Sequence, residues 1–199
     1  GPGRSLDEIV ATVEEFFRAD AGLGLGIVSQ SFGTEILQEF GTDAQKEEYL
    51  RAVAAGEKRT GMAISEPDTG SDLAGMEATA RLDGDQWVLN GEKYWIGNGV
   101  SGDYITVYAK TEDTDDRHGN HSLLIVPTDA PGYEAEPIPE KMAYRASEQA
   151  HIVFDDCRVP AENLVGERGR GFKMVAEFFN TGRVRVAAHG LGLAAAAIE

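Results

Sequence analysis

Between Leu6 and Arg18 the apolar residues Leu6, Ile9, Val10, Val13, Phe16 and Phe17 recur at helical spacing, behind an S-x-x-E capping box made by Ser5 and Glu8. The pattern predicts an amphipathic helix with one face built for burial. A second helical segment is expected after Asp20, from GLGLG to about Phe40, with Gly41 as a left-handed C-cap. Thr42 and Gln45 form a T-x-x-Q box opening a third helix that runs to about Ala55 and stops at Gly56. From Gly61 the period shortens to that of strands: EATARL, DGD, QWVL, Asn90-Gly91 and EKYWI, then DYITVYAK, HSLLIVP, GYEAEPI and QAHIVF. Asn-Gly between two such runs predicts a hairpin at Asn90-Gly91. A last helical pattern starts near Phe172 and continues through four alanines to Glu199, apolar on several sides and therefore expecting neighbours on several sides.

These elements predict an α+β fold: a helical segment over residues 4–60, an antiparallel β-barrel or sandwich over 61–160, and a long C-terminal helix within 161–199. The uninterrupted last helix leaves two readings open, cover from another subunit or a chain that is part of a longer one. The opening Gly1-Pro2-Gly3 reads either as native sequence or as a scar from tag removal, and it carries no weight in the fold.

Composition narrows the class of protein. With 42% apolar residues in 199, the chain can build a sizeable core. No apolar run approaches the roughly 20 residues that span a bilayer, and GPGRSLDE carries no apolar signal region, so a cytoplasmic location is expected. The net charge of -16 comes from acids scattered along the whole length and argues against nucleic acid or an anionic membrane as partner. Arginine exceeds lysine two to one, and a dispersed acidic surface poor in lysine suits a protein kept hydrated in concentrated salt; an ordinary acidic enzyme is the other reading. Cys157, the single cysteine, is expected to be a buried structural thiol.

Several motifs touch on chemistry. GLGLG at Gly22–Gly26 and GERGRGF at Gly166–Phe172 lack the G-x-G-x-x-G spacing of a dinucleotide site. His118 and His121, with Asp115 and Asp116, have the spacing of a metal site but sit in a polar loop where such spacing arises by chance, and no metal is expected. In MAISEPDTGSD, Met62–Asp72, a short strand turns through Glu66-Pro67 into a loop whose amides and Ser71 hydroxyl could receive a phosphate or the edge of a planar cofactor, or form an ordinary surface turn.

Taken in order, FGTDAQKEEYL, SEPDTGSD, LNGEKYWIGNG, EKMAYRAS, FDDCRVPAENLVGERGRGF and the helix with Arg183 resemble the acyl-CoA dehydrogenase family from about Asp20 to Glu199. The resemblance implies a fragment holding the end of a helical domain, all of a middle β domain and the first helix of a C-terminal domain. It implies FAD as cofactor, bound by Met62, Ala63, Ile64, Ser65, Gly70 and Ser71 in one segment and by Trp95, Ile96 and Gly97 in the other. Taken alone, Trp95 is also the core tryptophan of a hairpin. Many members carry Thr where this chain has Gly97, which leaves open an oxidase or monooxygenase on the same fold. Ser71, Asn180 and Arg183 fall where the family meets acyl-CoA; a bond from Arg183 to a neighbouring carboxylate is the alternative.

The activity implied is oxidation of an acyl-CoA to the 2-enoyl-CoA, with electrons passed to an electron-transfer flavoprotein. Full-length members are usually tetramers. No catalytic residue is assigned: the family's base lies beyond Glu199 in most members, and the minority position before Arg183 is Gly182 here. A fragment inactive by itself is the remaining reading.

Overall fold

The computed structural model describes residues 5–199; Gly1-Pro2-Gly3 lies outside them. Helix α1 spans Leu6–Ala19 and starts at the predicted capping box, the Glu8 amide donating to Ser5 Oγ at 3.3 Å and the Ser5 amide to the Glu8 carboxylate at 2.9 Å. The segment after Asp20 divides into α2, Ala21–Val28, a 3₁₀ turn, Ser29–Ser31, and α3, Thr34–Phe40. Its left-handed glycine is Gly33, φ 92°, at the start of α3; Gly41 is extended at φ -71°, ψ 152°, contrary to expectation. The Gly41 amide still closes α3 on the Leu37 carbonyl at 2.9 Å, and a Cβ there would run into that same oxygen, so glycine serves close approach and not handedness. The Thr42–Gln45 box opens a continuous helical run: α4, Asp43–Gln45, a π turn, Lys46–Leu50, and α5, Arg51–Ala54.

Eight strands follow among the described residues: β1 Thr60–Ala63, β2 Thr79–Asp83, β3 Gln86–Ile96, β4 Tyr104–Lys110, β5 His121–Pro127, β6 Tyr133–Pro137, β7 Ala150–Pro160 and β8 Leu164–Val165. They form one sheet in the order β6-β7-β3-β2-β4-β5-β8, with β1 beside β4. The sheet is mixed, because β1 runs parallel to β4 and β2 makes a parallel bridge to it; the remaining pairs are antiparallel.

The predicted hairpin at Asn90-Gly91 does not form. β3 runs straight through it, and the chain reverses instead at Gly84-Asp85, where Asp83 pairs with Gln86 and Gly84 takes φ 65°. Asn90 is held in the sheet by β7, its side chain exchanging hydrogen bonds with Asp156 at 2.9 and 3.1 Å, and the register slips there in a bulge. Tertiary pairing overrode a turn signal that the sequence carries twice within nine residues, at Asp83-Gly84 and Asn90-Gly91.

Period-two alternation sorts the sheet's side chains into two cores. Ile105 and Val107 of β4 and Leu124 and Val126 of β5 join Trp87, Leu89, Ile152 and Phe154 inside the curled sheet. Tyr104, Tyr108, Leu123 and Ile125, from the same strands, face the other way against Ile36, Leu37, Met174, Val175 and Phe178 of the helices. Each aliphatic or aromatic side chain so buried is worth about 1.5–3 kcal/mol. Cys157 is buried in the first core, and burial pushes its thiol up to about 11, as a structural cysteine requires.

Helix α6, Gly171–Ile198, lies on the sheet through its first turns and on α1 through its later ones. Phe17 stacks on His189 with ring centroids 3.8 Å apart, and a Cβ at Gly192 would collide with the Glu14 carbonyl, so the two helices meet backbone to backbone. Val184, Val186, Leu191, Leu193 and Ile198 remain exposed among the described residues. No helix among these residues is long and apolar enough to cross a membrane.

Candidate functional site

The two motif segments meet at the bulged end of β3. Trp87, Leu89 and Lys93 point inward by alternation, which would carry Trp95 inward as well. A second register slip between Lys93 and Ile96, with Trp95 at φ 63°, breaks the alternation: Ile96 is buried and Trp95 is turned out, 55% exposed. Left-handed backbone is uncommon for so large a residue, and here it presents an indole face to the outside. The partner segment is fixed against it at Gly61, where any Cβ would collide with the carbonyl oxygen of Gly97.

A buried ion pair ties the same segments together from beneath. The Lys93 ammonium, wholly buried, donates to the Ile64 carbonyl and to Glu66 Oε1, each at 2.8 Å, and lies 5.8 Å from the centre of the Tyr108 ring. Glu66 also accepts from the amides of Glu77 and Ala78 at 2.7 and 2.9 Å, pinning the far end of the SEPDTGSD loop, while the Tyr94 amide donates to the Ser65 carbonyl at 2.8 Å. Burial pulls the Lys93 ammonium down to about 8 against the pull of Glu66. Burial by itself would raise the Glu66 carboxyl; Lys93 and the two amides outweigh it, so Glu66 stays below the usual carboxylate range. An ammonium 2.8 Å from a carboxylate that also takes two backbone amides has the geometry of an ion pair.

A cavity of about 560 Å³ opens at this junction. Met62, Trp95, Gly97 and Gln149 line it from the sheet side, Val13, Leu25, Phe32 and Glu35 from the first helices, and Gly182, Arg185, Val186 and His189 from α6. A wall mostly apolar with a few convergent polar groups is the usual make of a small-molecule site.

The predicted residues divide around this cavity. Met62, Trp95 and Gly97 line it. The side chains of Ala63, Ile64 and Ile96 are buried, so only their backbone could meet a ligand, and the Ile64 and Ser65 carbonyls are already taken by Lys93 and Tyr94. Gly70 and Ser71 lie on the exposed loop, where a Cβ at Gly70 would touch nothing and Asp72 pairs with Arg117 at 2.8 Å. Asn180 and Arg183 are exposed on α6, and Arg183 donates to the Asn180 side-chain oxygen at 3.1 Å, so its partner is an amide and not a carboxylate. The two loop histidines part company: His118 stacks on Phe172, while His121 is buried on Tyr108 and reaches the Met76 carbonyl at 3.0 Å. No group of three potential metal ligands is gathered among the described residues.

Two elements of the site had escaped sequence reasoning. Lys93 did carry a signal, a charge at an inward-facing register between Leu89 and Ile96. Glu35 and Arg185 carried none, standing 150 positions apart on unremarkable helices until the fold joins them in an ion pair.

A helical layer on a mixed sheet, with an outward aromatic lining a mostly apolar cavity, is an architecture suited to holding a small molecule. Family models for the acyl-CoA dehydrogenase N-terminal domain and middle domain match residues 1–57 and 61–157, and the chain belongs to the acyl-CoA dehydrogenase family. It is 36% identical over 200 residues to the mitochondrial short-chain specific acyl-CoA dehydrogenase of Mus musculus, covering 99% of this chain and 48% of that protein. A solved structure titled for the electron transferring flavoprotein of Acidaminococcus fermentans superimposes with TM-score 0.92 and 35% identity, covering 99% of this chain and 52% of that one. An acyl-CoA dehydrogenase complexed with FAD from Bacillus anthracis does so with TM-score 0.86 and 35% identity, covering 96% and 33%. The chain thus spans about half the length of the mouse relative.

Proposed function

We propose that this chain is the flavin-holding part of an FAD-dependent acyl-CoA dehydrogenase that oxidises an acyl-CoA to the 2-enoyl-CoA. The supporting observation is the convergence of Met62, Trp95 and Gly97 on one cavity, with an exposed indole as platform. The residues fit the cofactor: the outward Trp95 face offers a stacking surface for a flat ring, and the open space beside Gly70 and Ser71 admits close approach of a pyrophosphate or pantetheine to backbone amides. FAD bound there supplies the acceptor for a hydride leaving the acyl β carbon. Met62, Ala63, Ile64, Ser65, Gly70, Ser71, Trp95, Ile96 and Gly97 hold it, the buried members through backbone. Ser71, Asn180 and Arg183 meet the CoA portion, where Arg183 supplies positive charge to a polyanion that the overall field repels.

The apolar helical wall excludes water from the acyl chain while the proton leaves its α carbon. That proton goes to a base that we assign to the full-length protein outside residues 1–199. The reading extends to an electron-transfer flavoprotein as acceptor, a homotetramer in the cytoplasm, a salt-adapted surface, and the division at 4–60, 61–160 and 161–199 into the end of the N-terminal helical domain, the middle β domain and the start of the C-terminal domain.

One observation favours a second reading. A Cβ at Gly97 would meet its nearest neighbours at 3.7 and 4.0 Å, ordinary contact, so the fold tolerates a side chain there that this chain omits, and the omission of the hydroxyl many members carry at this place favours an oxidase or monooxygenase. The full-length protein's visible spectrum separates the cases. Flavin bands that bleach anaerobically with butyryl-CoA and persist in the reduced state under air support dehydrogenation. Rapid reoxidation by air with oxygenated product supports the second reading, and a colourless protein that takes up no added FAD overturns both.

A further inference from the structure

The cavity wall is interrupted at a single place by charge. Among the described residues, Glu35 of α3 and Arg185 of α6 are the only charged ones lining it, they are opposite in sign, and they are bonded to each other. The pair is not sealed: 26% of the Arg185 side chain and 31% of that of Glu35 stay accessible. Nor is it saturated. Arg185 Nε and Glu35 Oε2 are enclosed without a hydrogen-bond partner and out of a ligand's reach, but of the five guanidinium donors Glu35 engages only one at Nη1, which leaves Nη2 as a donor and the bonded Glu35 Oε1 as an acceptor that a ligand can meet.

Such a pair is a poor device for stability, since apolar residues of the same volume would fill the wall at little or no loss. It is a good device for recognition, because polar groups left incompletely matched in an apolar wall favour a ligand that completes them and penalise one that does not. The sign of the ligand follows from the pair's neutrality. A carboxylate drawn to Arg185 would sit against the Glu35 carboxylate, and a bare alkyl end would leave both groups unmet. A hydroxyl can accept from Arg185 and donate to Glu35 at once.

We propose that Glu35 and Arg185 determine the acyl specificity of the cavity, and that its substrate is a CoA thioester whose acyl chain carries a neutral hydroxyl beyond the β carbon. This rests on the dehydrogenation reading above and specifies its substrate class. The test uses the full-length protein with FAD bound and compares kcat/KM, by anaerobic flavin bleaching, for hexanoyl-CoA, 5-hydroxyhexanoyl-CoA, 6-hydroxyhexanoyl-CoA and adipyl-CoA.

The wild type is expected to prefer one of the two hydroxyacyl thioesters over hexanoyl-CoA by about tenfold, the scale of one or two hydrogen bonds. In Glu35→Gln the preference should shrink, and in the paired Glu35→Leu/Arg185→Met variant the ratio should fall to about one. Binding of the non-oxidisable 3-thia analogues, followed by the flavin spectral shift, should show the same ratios without turnover. Equal kcat/KM for hexanoyl and hydroxyhexanoyl thioesters, or a preference for adipyl-CoA, overturns the proposal while leaving dehydrogenation standing. A loaded flavin that no thioester bleaches overturns the dehydrogenation reading and this proposal with it.

Discussion

Two ion pairs, one buried beneath the segments that carry Trp95 and one in the cavity wall, have opposite characters. Lys93 and Glu66, in the sheet, have side-chain exposures of 0% and 9%, and the hydrogen bonds they make run to the backbone of the segments flanking Trp95 and the SEPDTGSD loop. Glu35 and Arg185, in the helical wall, remain accessible and keep unmatched atoms. Burial, with every hydrogen bond outside the pair made to backbone, marks a pair whose work is to hold the backbone in place. Access and incomplete matching mark one placed for a ligand.

The largest expected effect breaks the first pair. Lys93→Met leaves the Glu66 carboxylate buried with two amides but no counter-charge, and should cost about 3–5 kcal/mol in denaturant unfolding. The full-length variant should also lose flavin, because the Ile64 carbonyl and the loop beyond Glu66 are released together. Lys93→Met/Glu66→Leu should recover most of the stability without recovering the flavin, which would separate positioning from folding energy. A single variant costing under about 1 kcal/mol would erase the contrast between the two pairs.

Next in size is the platform. Trp95→Ala removes a side chain that is mostly outside both cores, so unfolding should change little. FAD affinity should fall roughly three- to tenfold, from about 1 kcal/mol of lost ring stacking. Arg185→Met is the mirror case. It should cost about 1 kcal/mol of stability, since water reaches Glu35, and leave the flavin content of the full-length protein unaltered. Flavin loss in Arg185→Met equal to that in Lys93→Met would show that both pairs position the cofactor.

What could be read from the sequence follows the same division. Both capping boxes and the strand runs were legible because they are local: Ser5 with Glu8, Thr42 with Gln45, alternation within one strand. Asn90-Gly91 was misread because β7 pairs through it, a long-range fact invisible in its neighbours. Trp95 owes its outward position to a bulge that alternation cannot foresee, and only the company of the other motifs marked it as a candidate. Glu35 and Arg185 were illegible, since neither residue type nor spacing distinguishes them from solvated helix positions; their meaning lies in the packing of α3 against α6.

Acid should probe both regions at once. Burial lowers the pKa of His121, in the sheet, against the opposing effect of the Met76 carbonyl, and burial lowers that of His189, in the cavity wall. A histidine whose folded pKa is depressed stabilises the fold above its unfolded value of 6.5, and that stability is lost as pH falls through the folded value. Melting temperature should therefore decline below about pH 6.5. His189→Gln should flatten part of the decline and His121→Gln another part. A profile flat to pH 5 in the wild type would mean that neither histidine is buried in solution.

The smallest effect, and the one that bears on the whole surface, is salt. Raising ionic strength from 0.1 to 1 M shortens the Debye length from about 10 to about 3 Å, which screens the self-repulsion of a chain carrying -16. If the surface is adapted to salt, the melting temperature should climb by several degrees. The same titration sharpens the contrast between the pairs, because screening reaches accessible charges and spares buried ones. The stability cost of Arg185→Met should shrink as salt rises, while that of Lys93→Met should hold. A cost for Lys93→Met that falls in step with that for Arg185→Met would mean that water and ions reach the pair beneath Trp95, and that the loop above it opens in solution.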